Sequence, residues 1–256
     1  MSRSDRRRKQ RQQRQTTRQQ RPSLPDGPLI DFVVYAGAEM DAAEVESCIA
    51  ALPPERATFS IATGKGQHVA QAKVLLGDNI TSRLRAAGRG NAPYIVFLDA
   101  DCRLASAAVL DVALATLANG AGVVGGIIAD GDSVLSAGYA FSIAGKPYPR
   151  FAGWSVDNEK VATPRLDLQA VPFGFLATHR ALWRQLGLRP EYAGLPWADV
   201  DYCLRARLGG LRIAYDPAIQ VQSTGAHQQP EPPGQWQQAT FLLIKAGAAY
   251  DEWRVL

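Results

Sequence analysis

Tyr94-Ile95-Val96-Phe97-Leu98-Asp99-Ala100-Asp101 runs five apolar or aromatic residues into two aspartates spaced one residue apart. A short apolar run of this kind predicts a buried strand whose C-terminal end delivers Asp99 and Asp101 into a crevice, the end at which open α/β sheets bind ligands. Side chains of an extended chain alternate between faces, so the two aspartates are expected on one face, within reach of one hard cation or its hydrated ligands. Ala100 between them leaves room for it. Adjacent carboxylates repel and lose hydration unless a cation or hydrogen-bond donors compensate, which makes the pair a functional candidate. A strand that turns after Asp-x-Asp and caps the next helix would show the same letters.

Upstream, Leu29–Tyr35 (LIDFVVY) predicts a first strand and Ala57–Ala62 a second. Between them Asp41 and Glu44 form a capping-box pattern for a helix to about Leu52, stopped by Pro53-Pro54. Thr63-Gly64-Lys65-Gly66 lacks the spacing of a phosphate loop and is read as a strand-to-helix turn. Helical pattern continues through Leu76 and again from Asn79 to Ala87. This strand-helix rhythm argues an α/β fold with a mostly parallel central sheet flanked by helices. Downstream, Ser106–Leu117 predicts a helix closed by Asn119-Gly120, and Ala121–Ala129 a strand. Asp130-Gly131-Asp132 is a turn whose acids could also meet a metal. Leu168–Thr178 is expected to be one strand, with Gly174 at a bend or close to a ligand. A short helix over Ala181–Leu186 ends at Gly187.

Asp199 lies near the start of a helix running to Leu208 and stopped by Gly209-Gly210. A carboxylate held there could accept a proton from a bound hydroxyl, or simply cap the helix. Asp201 and Arg205, four apart, form an intrahelical ion pair. Gln235–Trp253 predicts a helix docking on the sheet.

The 256 residues, 46% hydrophobic and 20% charged, suit a soluble globular protein with one large core or two small ones, and no run supplies the ~18 apolar residues of a membrane span. The best apolar run, Val112–Ala129, is broken by Asn119 and several glycines. Cys48, Cys102 and Cys203 have neither metal nor disulfide spacing, so the expected location is the cytoplasm, peripheral at the inner face of the membrane if the arm described next finds lipid. Residues 1–21 hold nine Lys or Arg against Asp5 alone, so they carry +8 and leave −4 on the rest of a chain whose net charge is +4. With too few apolar residues for a core, residues 1–28 are expected to be a basic disordered arm and linker, and 29–256 a single domain. An anionic membrane surface or nucleic acid would suit residues 1–21 as a partner; a merely solubilising tail would look the same.

FLDAD at Phe97–Asp101, then AVPFGFLATHRALWRQLG at Ala170–Gly187, then WADVDYCLRARLGGLRIAYDPAIQV at Trp197–Val221, together resemble the family 2 glycosyltransferases of GT-A fold, in particular their bacterial rhamnosyltransferase-like branch. The resemblance spans roughly Ile80–Val221. It implies inverting transfer of a sugar from a nucleotide-diphosphate donor to an acceptor hydroxyl, of a glycan or another molecule, as in polysaccharide biosynthesis. It also implies Mn²⁺ or Mg²⁺ held by Asp101, with Asp99 assisting through ribose or metal-bound water, and Asp199 as the catalytic base. Trp154 and Trp197 are candidates to stack on sugar faces or to pack the core. The sequence departs from the family where the first strand ends VVYAGA, where Thr63-Gly64 replaces a base-reading aspartate, and where Ala198 replaces a glutamate. The histidine that often follows the last strand is missing; Gln222 and Ser223 stand near its place and His227 lies four residues beyond. A degenerate, non-catalytic module tethered by its basic arm fits these departures, and a nucleotidyltransferase of similar architecture lacks its own glycine-rich signature here.

Overall fold

The computed structural model describes residues 29–35, 46, 57–62, 72–142, 144–165, 167–192 and 197–223. The arm, the helix expected at 41–52 apart from Glu46, which is helical, the turn at 63–66, His227 and the helix expected at 235–253 lie outside the described residues.

Eleven strands are described: β1 Ile30–Tyr35, β2 Ala57–Ala62, β3 Lys73–Val74, β4 Tyr94–Asp99, β5 Cys102–Leu104, β6 Ala121–Asp130, β7 Ser133–Ser136, β8 Tyr139–Phe141, β9 Pro147–Pro149, β10 Phe175–His179 and β11 Arg212–Ser223. The α-helices whose ranges are described are α1 Ile80–Ala86, α2 Ala108–Ala118, α3 Arg180–Leu186 and α4 Ala198–Leu208. Eight strands form one sheet in the order β3-β2-β1-β4-β10-β6-β11-β5, with β7 pairing on β6, while β8 and β9 form a separate hairpin. The β3-β2-β1-β4 half and the β6-β11 pair are parallel; β10 runs antiparallel between them. The C-terminal ends of β4 and β6 therefore share an edge.

Alternation along the strands builds a core on each face. Val33, Tyr35, Ile95 and Phe97 meet Trp183, Tyr202 and Phe173 on one side. Phe32, Val34, Val96 and Leu98 meet Val109, Leu110 and Leu117 of α2 on the other. Asp31, which interrupts the first apolar run, is buried and pairs with Arg180 at 3.0 Å while accepting from Ser60 Oγ at 3.0 Å. A buried charge is tolerable only with such partners.

Three expectations are corrected. Lys73–Val74 is not helical but pairs parallel with β2, because a short apolar run such as Val74-Leu75-Leu76 suits either state. The strand expected from Leu168 begins only at Phe175: Pro172 has no N–H for a ladder, and the Phe173 N–H is spent on the Asp199 side chain. The chain does not stay extended through Asp101, since it turns at Ala100-Asp101 before β5.

Candidate active site

The β4 terminus is fixed by its neighbours. Tyr35 sits opposite Asp99 in the parallel β1–β4 register, and Ala100 N donates to Tyr35 O at 2.8 Å. At the turn the Asp101 N–H donates to Asp99 Oδ1 at 3.0 Å, so Asp99 caps the turn with one oxygen while Asp101 is exposed and Asp99 half-buried. Local hydrogen bonding, and not the two-residue alternation of a strand, thus sets the relation of the two carboxylates. Ala100 is itself buried and packs inward.

Asp199 occupies the first turn of α4, behind Trp197 in a left-handed conformation with φ 63°. Its Oδ1 accepts from Val200 N at 2.8 Å and its Oδ2 from Phe173 N at 3.1 Å. The Tyr139 hydroxyl also engages this carboxylate. Burial raises its pKa to about 6, a rise moderated by the donors from Val200, Phe173 and Tyr139.

Two adjacent residues join the carboxylates. Phe173 N–H holds Asp199, and Gly174 C=O accepts from Asp99 N at 3.3 Å. Tyr35 completes the link: burial, then the charges of Asp99, Cys102 and Asp199, push its hydroxyl pKa well above the ordinary range. The structure therefore brings Asp99, Asp101 and Asp199 to one end of the sheet. At Gly174 a Cβ would come within 2.2 Å of Ile128 Cδ1 in the core.

The other candidates fall as follows. Asp130-Gly131-Asp132 is the β6–β7 hairpin turn, with Gly131 at φ 54° and its carbonyl accepting from Gln222 Nε2 at 3.3 Å. Asp201 is fully buried and pairs with Arg205 at 2.8 Å and Arg189 at 3.5 Å. Trp197 is buried edge-on to Tyr139, with ring centroids 5.7 Å apart, whereas Trp154 is 40% exposed. Cys102 and Cys203 are buried. Ser223, the last described residue of β11, lies opposite Cys102 and so arrives beside Asp101. Tyr35, Tyr139 and the Phe173 N–H went unread in the sequence. Only Tyr35 left a signal, as the last residue of the strand expected at Leu29–Tyr35.

An exposed and a half-exposed carboxylate offer hard oxygen donors that fit a partly hydrated Mg²⁺ or Mn²⁺. Among the described residues no cluster of three His, Cys, Asp or Glu side chains gathers, so water or ligand oxygens would complete such a shell.

No protein-family model matches the sequence, nor does any curated protein. Solved structures do match. GalNAc-T7 with UDP, GalNAc and Mn²⁺ aligns with TM-score 0.60 at 12% identity, over 86% of this chain and 48% of that one. The mannosyltransferase PcManGT from Pyrobaculum calidifontis, with GDP-Man and Mn²⁺, gives 0.54 at 14% identity over 91% and 68%. S. aureus TarS 1-349 with UDP-GlcNAc gives 0.52 at 14% over 87% and 68%. The chain thus spans about half the length of GalNAc-T7 and about two thirds of the other two. Strand order, the antiparallel strand between two parallel sets and these alignments agree on one architecture: the fold is that of the GT-A nucleotide-sugar transferases.

Proposed function

We propose that the protein is an inverting, metal-dependent glycosyltransferase that moves a sugar from a nucleoside-diphosphate donor to an acceptor hydroxyl. The observation that supports the reading is the Phe173-Gly174 link, which ties Asp199 and Asp99 to the same end of the sheet. The donors bound by the similar structures, UDP, GDP-Man and UDP-GlcNAc, support a nucleotide-sugar ligand.

In this reading Asp101 and Asp99 hold the donor end of the site. A divalent ion bound there would offset the charge that develops on the departing diphosphate. Asp199 takes the proton of the acceptor hydroxyl as its oxygen attacks the sugar C1 from the opposite face. Its pKa of about 6 leaves it ionised at neutral pH yet more basic than an exposed aspartate. The Val200 and Phe173 N–H groups, with the Tyr139 hydroxyl, fix the carboxylate plane, and the acceptor capacity they leave is what the substrate hydroxyl would use. A positioned base commonly supplies ~10²–10⁴-fold in rate.

Calorimetric titration with UDP-, GDP- and dTDP-sugars, each with and without Mn²⁺, tests the assignment. Binding of one donor class that requires the metal is expected. Absence of nucleotide binding under every condition would favour the non-catalytic module instead. One observation points that way: Ala198 is 1% exposed, so the position expected to carry a second carboxylate is enclosed and apolar.

A further inference from the structure

Arg150 and Arg165 form an arrangement that the proposed transfer chemistry does not use. Their guanidinium carbons both lie over the Phe151 ring, 5.1 and 5.7 Å from its centroid. The Nε atoms of both are shielded from solvent and have no hydrogen-bond partner among the described residues. Neither side chain makes an ion pair with a described residue. Burial, followed by the charge of Arg165, lowers the pKa of Arg150. Two like charges held together without an acid are unfavourable in the free protein, and desolvation strengthens the repulsion.

The backbone here is also strained. Phe151 has φ 58°, unusual for a bulky residue, and of the described non-glycine residues only Trp197, behind Asp199, shares a positive φ. Such outliers persist where surrounding structure enforces them and often mark ligand sites. Trp154, 40% exposed, packs on Phe151 with centroids 5.1 Å apart, and Lys160 Nζ lies 5.8 Å from its ring centre. Three cations and two aromatic rings thus share one patch.

The patch is tied to the candidate active site through the backbone. Arg150 N donates to Gly138 O at 2.8 Å, and Ala137 N donates to Arg150 O at 3.1 Å, next to the Tyr139 that engages Asp199. Arg165 exchanges both backbone hydrogen bonds with Tyr215 of β11, at 2.9 and 2.7 Å.

We propose that Arg150 and Arg165 bind the carboxylate or phosphate group of an acidic saccharide, with Trp154 as the surface on which its ring stacks. Guanidinium groups suit such oxyanions because their N–H donors match them in pairs. An oxyanion would also offset the mutual repulsion of the two cations. Naming this saccharide as the acceptor rests on the proposed transfer reaction; the binding itself does not.

The test is calorimetry and thermal melting of the full chain, in EDTA and without nucleotide, with inorganic phosphate, glucuronate and glucose as probes. Phosphate and glucuronate should bind the wild type and raise its Tm, and glucose should do neither. Arg150→Gln and Arg165→Gln should each weaken both anions about tenfold or more, the scale of a charged hydrogen bond. Each should also raise the Tm in anion-free buffer, because one of two repelling charges is gone. A purely structural role would lower it, so a lower Tm in both variants overturns the proposal. Trp154→Ala should weaken glucuronate and leave phosphate unchanged. No anion binding by the wild type, or undiminished binding in either arginine variant, also overturns the proposal; phosphate binding without glucuronate binding overturns its saccharide part. Since donor and metal are absent, failure here and failure of the transferase reading are told apart.

Discussion

At the scale of single residues, the proposed chemistry turns on how Asp199 is kept ionisable inside the protein. Burial lifts its pKa from 3.8 to about 6, against the pull of backbone donors, Val200 and Phe173 foremost, and of the Tyr139 hydroxyl. The acid limb of kcat/KM is therefore expected near pH 6, and Tyr139→Phe should move it to higher pH, because a group that favours the charged form is lost. An unmoved limb in that variant would separate Tyr139 from the base. The same shift affects stability with a definite sign. The folded state holds this proton more tightly than the unfolded chain, so the contribution is fully present below pH 3.8 and is lost as pH rises through about 6. A shift of about two units corresponds to roughly 3 kcal/mol. Relative to Asp199→Asn, the wild type should lose about that much between pH 4 and pH 7 in urea titrations, and parallel pH profiles would contradict the burial argument. None of this was legible beforehand: Asp199 could be placed at a helix start, but Tyr139 lies 60 residues away and meets it only through tertiary packing.

At the scale of elements, the connection into β10 does the positioning. Pro172 and Phe173 leave the ladder, which frees the Phe173 N–H for Asp199, and Gly174 then closes tightly on the core. Gly174→Ala puts a methyl within 2.2 Å of Ile128 Cδ1, where both residues are enclosed. Overpacking of this kind costs about 1–3 kcal/mol. Ile128→Val deletes the very methyl that is struck, so the double variant should recover much of the Tm lost by Gly174→Ala. Additive losses in a double-mutant cycle would contradict the contact. The strands β1, β2, β4 and β6 and the helices α2, α3 and α4 follow from apolar runs and glycine stops that the sequence displays openly. The end of β10 did not, because proline and a side-chain acceptor override an apolar run that otherwise extends to Leu168.

At the scale of the whole molecule, the aspartates come from segments about 100 residues apart and are linked because the chain entering β10, beside β4, bonds to Asp99 through Gly174 and to Asp199 through Phe173. The apolar run ending in Asp99 and Asp101 and the later helix carrying Asp199 were both visible in the sequence. The link between them was not, since it needs the antiparallel insertion of β10, whose direction no periodicity encodes. The account is tested most directly by donor binding and sugar transfer measured side by side for Asp101→Ala and Asp199→Ala. Asp101→Ala is expected to abolish metal-dependent donor binding. Asp199→Ala is expected to keep that binding and lose transfer by about 10²–10⁴-fold. Equal loss of both properties in both variants would contradict the division of roles on which the proposed mechanism stands.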